Sequence, residues 1–323
     1  MNANDALYTP YSLVREMLET PGVVRGFPVD RALGLAPKTP SVFLTGEGSS
    51  RIFPAKHARV QGLRRGDPVR VELEGGEQAG EYIFTGAHLY AASNSGRTAE
   101  IVRLLDQVTA RRSGGPARTT AVVANAGSAI GGVCDEEFLL TCGPEEAVAA
   151  TKSVVEQALF YDVALRAAAG IDPPDLGALA DAMETVLTGR IDPQIVGRTR
   201  GGGRVYFAGR NDGVAEELTL KTNEITRRDS AFLEGTYAVH GVEEVMTPKD
   251  VVVVVDPFEA EEEKLDKVLV QGVGLAVVAV AARDTRFPTI RVPSVPDGDA
   301  YIQLLAGWNL LVEMGIDAGV NLD

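Results

Sequence analysis

Six consecutive residues, Ser93-Asn94-Ser95-Gly96-Arg97-Thr98, follow a short apolar run and precede a helical pattern. Three hydroxyls and a glycine at a strand-to-helix turn have a clear physical use. Successive backbone N–H groups point outward there, the helix dipole favours an anion, and Ser and Thr hydroxyls add donors. Gly96 lets the backbone turn and approach closely. A second loop of the same design, Gly46-Glu47-Gly48-Ser49-Ser50, ends the first apolar run of the chain. Ser and Gly also cap helices and make turns without binding anything; two such loops at neighbouring strand ends are what point to a phosphate. Neither Gly-Lys-Ser/Thr nor Gly-x-Gly-x-x-Gly occurs, so the nucleoside-triphosphate and dinucleotide patterns are absent. Further along, Lys221 and Glu224 lie one turn apart on a helical stretch, and His240-Gly241 begins sixteen residues after Glu224. A carboxylate can carry a proton between adjacent carbons, and an imidazole, which titrates near neutrality, can move the proton that opens a sugar ring. The same three residues also fit a surface carboxylate, its surface ion pair and an exposed histidine. His57 and His88 have no motif around them and read as structural.

The elements that must position these residues alternate. The patterns predict helices over 5–20, 51–63, 99–111, 145–169, 175–187, 214–227, 259–272 and 299–314. They predict strands over 41–46, 68–73, 88–92, 119–124, 137–141, 204–208, 250–255, 276–282 and 289–292. The run at 250–255 is unbroken and apolar, as for a strand buried on both faces of a parallel sheet. This is βαβ alternation carried out twice, and it implies an α/β chain of two parallel sheets with right-handed crossovers. The halves open alike, S-V-F-L-T-G-E-G-S-S and R-V-Y-F-A-G-R-N-D, and imply a duplicated unit with domains over 1–172 (including the N-terminal helix) and 173–323. Ligands in such folds sit at the carboxyl ends of the strands.

With 323 residues, 45% hydrophobic and 24% charged, the chain can bury large cores and global disorder is excluded. A net charge of -14 argues against a nucleic-acid partner, which needs a basic face. It does not exclude a small anion, because a local cradle outweighs the global field. Cys134 and Cys142 fit no zinc motif and read as reduced and structural. No signal pattern opens the chain and no apolar run is long enough for a bilayer, so no membrane partner is expected and a cytoplasmic location is.

In order along the chain, G-E-G-S-S at 46–50, S-N-S-G-R-T at 93–98, C-G-P-E-E-A-V-A-A-T-K at 142–152, E-L-T-L-K-T-N-E-I-T at 217–226 and His240-Gly241 resemble the SIS (sugar isomerase) family. The resemblance is to the isomerase half of glucosamine-6-phosphate synthase and its stand-alone relatives. It implies two tandem SIS domains, each a flavodoxin-like three-layer sandwich. It implies substrate binding by Gly48, Ser49, Ser50, Ser93, Asn94, Ser95, Thr98 and Val148, and catalysis by Glu224, His240 and Lys221, with no cofactor and no metal. The segment 142–152 resembles the part that closes over the sugar. His240 is expected to reach the neighbouring subunit's site, which implies a homodimer with a shared active site. The implied activity is isomerisation, or deamination, of a hexose or aminohexose 6-phosphate. Deglycation of a fructosamine 6-phosphate and non-catalytic sugar-phosphate sensing are the alternatives.

Four positions depart from the synthase pattern. Asn2 stands where a glutaminase domain needs a cysteine, so ammonia release from glutamine is not expected. The sequence stops at Asp323, short of the tail that carries the synthase's imine-forming lysine, so either the reaction proceeds without an imine or a lysine-bearing tail is missing from this sequence. Glu47 replaces a cysteine and Asn223 a lysine, and both bear on which sugar is taken.

Overall fold

The structure is a computed structural model and describes residues 1–110 and 113–323. The chain forms two compact units. One comprises Gly22–Glu145 and Ala150–Leu176, and the other Met1–Pro21, Glu146–Ala149 and Gly177–Asp323.

The first helix, α1 (Ser12–Arg25), starts later than the pattern predicts. Pro10 disfavours helical geometry for Thr9, and residues 5–9 close as turns on the Asp5 carbonyl. Leu13, Val14 and Met17 are buried as their spacing requires, whereas Leu7 is exposed. The sequence groups this stretch with the first half, but residues 1–21 pack in the other unit. There the Met1 ammonium donates to the Leu187 carbonyl (2.8 Å) and the Tyr8 hydroxyl to Glu313 (2.5 Å). The N–H groups of Ser12 and Leu13 donate to the Asp323 carboxylate at 3.0 and 2.8 Å.

The first unit runs α2 (Val29–Gly34), β1 (Ser41–Thr45), α3 (Ile52–Arg65), β2 (Arg70–Glu74), α4 (Gly76–Ala79), β3 (His88–Ser93), α5 (Ala99–Ala110), β4 (Arg118–Val123), β5 (Glu136–Leu139) and α6 (Lys152–Ala168). Its strands are all parallel, in the order β2-β1-β3-β4-β5. Alternation decides the layers. Phe43, Leu89, Ala91, Ala121 and Val123 face one way, onto Ile101, Leu104, Leu105 and Val108 of α5. Tyr90 and Phe138 face the other way, where their rings pack on Phe160 of α6 and, for Phe138, on Phe27. The predicted end of α5 at Arg111 lies outside the described residues.

Helix α6 begins at Lys152, not at residue 145 as the alanine-rich pattern predicts. Pro144 and a positive φ at Gly143 break the approach. The Glu145 side chain then folds forward onto the helix start and accepts the Thr151 N–H at 2.6 Å. A carboxylate at a helix N-terminus is stabilised by the dipole, so Glu145 serves the helix from outside it.

The second unit continues with α7 (Leu176–Thr188), α8 (Pro193–Arg198), β6 (Val205–Gly209), α9 (Val214–Thr226), β7 (Ser230–Glu234), β8 (Val251–Val255), α10 (Glu262–Leu265), β9 (Ala276–Ala281), β10 (Thr289–Arg291) and α11 (Asp299–Asp317). The helix predicted over 259–272 is instead a 3-10 turn, α10 and a stretch of π-helix over Asp266–Val273, stopped at Gly274 with φ 82°. The sheet is again parallel, order β10-β9-β8-β6-β7. Tyr206, Val252, Val254, Val277 and Ala279 cover one face with Leu265 and Leu269. On the other side lie α9 and α11, the latter buried along most of its length.

Read from β7, the second sheet repeats the order of the first. In each, the chain reverses direction of growth between its first and third strands. That switch point opens a crevice at the carboxyl ends of the strands.

Candidate functional site

In the first sheet the switch point lies between β1 and β3, and the two hydroxyl-rich loops are the segments that leave those strands. They touch. A Cβ on Gly46 would come 2.9 Å from the Ser50 carbonyl oxygen and 3.1 Å from that of Ala92, so only glycine lets the first loop close against the end of β3. The first loop then forms a 3-10 turn, Gly48–Ser50, with Gly48 at φ 52°. Glu47 turns out of the loop and accepts the Gly76 N–H at 2.7 Å. Gly48, Ser49 and Ser50 are all partly exposed.

The second loop is braced from within. Ser93 is 1% exposed. Its hydroxyl accepts the Gly96 N–H at 3.0 Å and shares a hydrogen bond with Thr98 Oγ1 at 2.7 Å. Gly96 stands at φ 66°, and a Cβ there would overlap Ser128 at 2.3 Å. Ser95 is exposed and accepts the Arg97 N–H at 3.2 Å. The loop delivers the chain straight into the N-terminus of α5. Ser95, Thr98 and the helix start therefore offer donors to an anion, while buried Ser93 holds the turn. Asn94 is half-buried, and its Nδ2 donates to Glu145 Oε2 at 3.1 Å. Glu145 lies within the segment 142–152, but its residue type and spacing do not single it out. No periodicity marks a carboxylate that acts from a loop.

In the second unit, α9 carries three charged side chains in a row. Lys221 is 0% exposed. Its ammonium lies 2.8 Å from Glu224 Oε2 and 3.4 Å from Glu217 Oε1. Glu217 is fully buried, whereas Glu224 keeps about a quarter of its side chain open, at 23%. The lysine thus orients the one carboxylate of the pair that a ligand can reach. The Lys221–Glu224 spacing leaves out Glu217, although i, i+4 places it on the same face of the helix. His240 is not brought to them. It is exposed beyond the 3-10 turn Tyr237–Val239, next to Gly241 at φ 104°, and its Nε2 lies 3.4 Å from Lys264 Nζ. Val148 is 68% exposed, in a stretch whose Glu146 and Ala147 N–H groups donate to Glu16.

The other candidates are structural in their surroundings. His57 Nε2 pairs with Asp162 at 3.1 Å, both buried. His88 bonds Thr120 Oγ1 at 2.8 Å and stacks on Tyr90; burial first, then Arg118, push its imidazole down to about 4. Burial raises the Cys134 thiol to about 12 and also raises that of Cys142, so neither is a ready nucleophile. Among the described residues no helix is long and apolar enough to cross a membrane, and no cluster of His, Cys, Asp and Glu could hold a metal.

Two solved structures superpose over nearly the whole chain. The tagatose-6-phosphate ketose/aldose isomerase of Escherichia coli matches with a TM-score of 0.80 and 17% identity, over 98% of this chain and 96% of that one. The C-terminal domain of the glucosamine-fructose-6-phosphate aminotransferase of Francisella tularensis matches with a TM-score of 0.79 and 17% identity, over 97% and 98%. The fold is that of the SIS sugar isomerases. In sequence the chain is 26% identical to the glutamine–fructose-6-phosphate aminotransferase (isomerizing) of Aeropyrum pernix, over 95% of this chain. It spans about half the length of that curated relative, 55%. No protein-family model matches. An SIS fold makes both crevices comparable in position, so the side chains must decide which can hold a ligand. Hydroxyls and a helix start line the first, between β1 and β3.

Proposed function

We propose that this chain binds a hexose or aminohexose 6-phosphate and isomerises it between aldose and ketose forms. The observation that carries the reading is the buried Lys221, which holds Glu224 in place while leaving that carboxylate partly open. A sensor has no need of an oriented base, whereas proton transfer between C1 and C2 does. The loops at 46–50 and 93–98 bind the phosphate, and Glu224 carries the proton. His240, exposed and away from Glu224, serves the site of a second copy in a homodimer. Deamination of an aminohexose 6-phosphate uses the same proton transfer and is the second activity to assay.

The test is Glu224→Gln with a panel of hexose and aminohexose 6-phosphates, following product sugar and released ammonia. Turnover falls by at least about a thousandfold while substrate still binds, as expected when a general base is lost from a formed site. A fully active variant removes Glu224 from the mechanism. Ligand-induced stabilisation of the native chain without turnover on any member of the panel replaces the enzyme with a sugar-phosphate sensor.

A further inference from the structure

Glu145 sits beside the phosphate loop, and every group that bonds it is a donor. Oε1 receives the Thr151 N–H at 2.6 Å and the Thr151 hydroxyl at 3.2 Å. Oε2 receives the Ser153 hydroxyl and, at 3.1 Å, the Asn94 amide through Nδ2. A glutamate carboxylate accepts at both oxygens, and here the four donors occupy both. This arrangement removes the usual ambiguity of an asparagine, whose oxygen and nitrogen can exchange places by a flip. Turned round, Asn94 would set its own oxygen against Oε2. Its Oδ1 is therefore held on the other side of the amide, where it accepts no hydrogen bond among the described residues. The Asn94 backbone is fixed as well, since its carbonyl accepts the Ala124 N–H at 3.0 Å.

We propose that Glu145 is a positioning residue that turns the Asn94 amide so that Oδ1 faces the ligand and accepts from a hydroxyl or amine of the sugar. This rests on the reading that a sugar phosphate occupies the β1/β3 crevice. Asn94 then plays a different part from its neighbours in the loop. A phosphate is an acceptor and is met by the donors of Ser95, Thr98 and the α5 N-terminus. An acceptor in the same loop meets a donor; a sugar carries several hydroxyls beyond its phosphate group, whereas inorganic phosphate has only a P–OH of its own. Glu145 and Asn94 thus confer preference for a phosphorylated sugar over inorganic phosphate.

The experiment is a double-mutant cycle on the full chain, with binding of fructose 6-phosphate, glucosamine 6-phosphate and inorganic phosphate read by calorimetry. In Glu145→Gln one oxygen still serves Thr151, but an amide nitrogen faces Asn94 Nδ2, and Asn94 relieves the clash by flipping. Loss of one ligand hydrogen bond predicts about a fivefold to tenfold weaker sugar phosphate, with inorganic phosphate unchanged within about twofold. Asn94→Ala gives the same selective loss, and the double variant loses no more than either single. Losses that add, or that fall equally on inorganic phosphate, overturn the positioning role and assign Glu145 to the loop fold. Failure of the native chain to bind either sugar phosphate overturns the functional reading and this proposal together. Thermal unfolding of each variant identifies any that lose binding through the fold, and for these Glu145→Asp, which keeps an ionised acceptor, must restore the preference.

Discussion

An acidic limb in a pH–rate profile would ordinarily be assigned to Glu224 or His240, but His88 predicts one that has nothing to do with catalysis. Its imidazole is 2% exposed beneath the first sheet, bonded to Thr120 and stacked on Tyr90. Burial and the Arg118 charge lower its pKa from 6.5 to about 4, opposed by Asp135. The unfolded chain therefore binds a proton more readily than the folded one, so stability falls as pH falls. The contribution is complete above the unfolded value and is lost progressively as the pH drops through about 4. With these two values, folding loses about 2 kcal/mol by pH 5 and about 3 kcal/mol by pH 4. Urea unfolding at a series of pH values reads this directly. His88→Gln keeps a hydrogen-bonding amide and no proton to titrate. It lowers stability at neutral pH by a constant amount, through lost stacking, and flattens the slope between about pH 6.5 and 4. A variant with the native slope would refute the reasoning and place the acid sensitivity on carboxylates. If the slope does flatten, an acidic limb that vanishes with it is unfolding, and one that stays belongs to the chemistry.

Two further substitutions probe the site's construction. Gly96→Ala places a Cβ at φ 66° and 2.3 Å from Ser128, so it costs about 2–4 kcal/mol by chemical denaturation and weakens inorganic phosphate by at least about tenfold; native-like values would show that the loop tolerates a different turn. Lys221→Met leaves Glu217 and Glu224 without the ammonium they share and costs about 3 kcal/mol or more, part of which Glu217→Gln restores in the same background; no destabilisation would mean that the buried charges are solvated in some other way.

The parallel strands were legible because a strand buried on both faces leaves a run such as 250–255 that no exposed element could carry. Strand β7, S-A-F-L-E, was not, since it lies at a sheet edge with one buried residue and neither alternates nor runs apolar. Helix α8 carries a legible signal: Asp192 caps the Gln194 N–H ahead of Pro193 at the first turn. The loops at 46–50 and 93–98 were read by residue type, and the fold sets them side by side. What the sequence hid is the work of long side chains. Glu145 and Glu47 act through carboxylates that reach out of their own segments, and no spacing rule records where such a group ends; Glu217, at i, i+4 from Lys221 on one helix, was legible.

The two sheets share one strand order, yet their crevices have opposite character. At the second switch point, between β6 and β8, Arg210 bonds the Asp256 carbonyl and carboxylate and lies 4.4 Å from the centre of the Phe258 ring. Asp256 itself is held at φ 46°, a conformation that costs a non-glycine residue about 1 kcal/mol or more. The strand-end loops there are satisfied by their own guanidinium, and an arriving anion would have to displace Asp256 to use it. At the first switch point no such plug exists among the described residues. The loop hydroxyls brace one another, Glu47 and Glu145 are turned onto backbone and amide donors, and the helix start is left to the ligand. Topology therefore provides a crevice in both sheets, and side-chain chemistry is what sets the one between β1 and β3, with its open donors, apart from the other. That is why strand order alone supports the fold, and why the functional reading rests on Ser95, Thr98, Lys221 and Glu224.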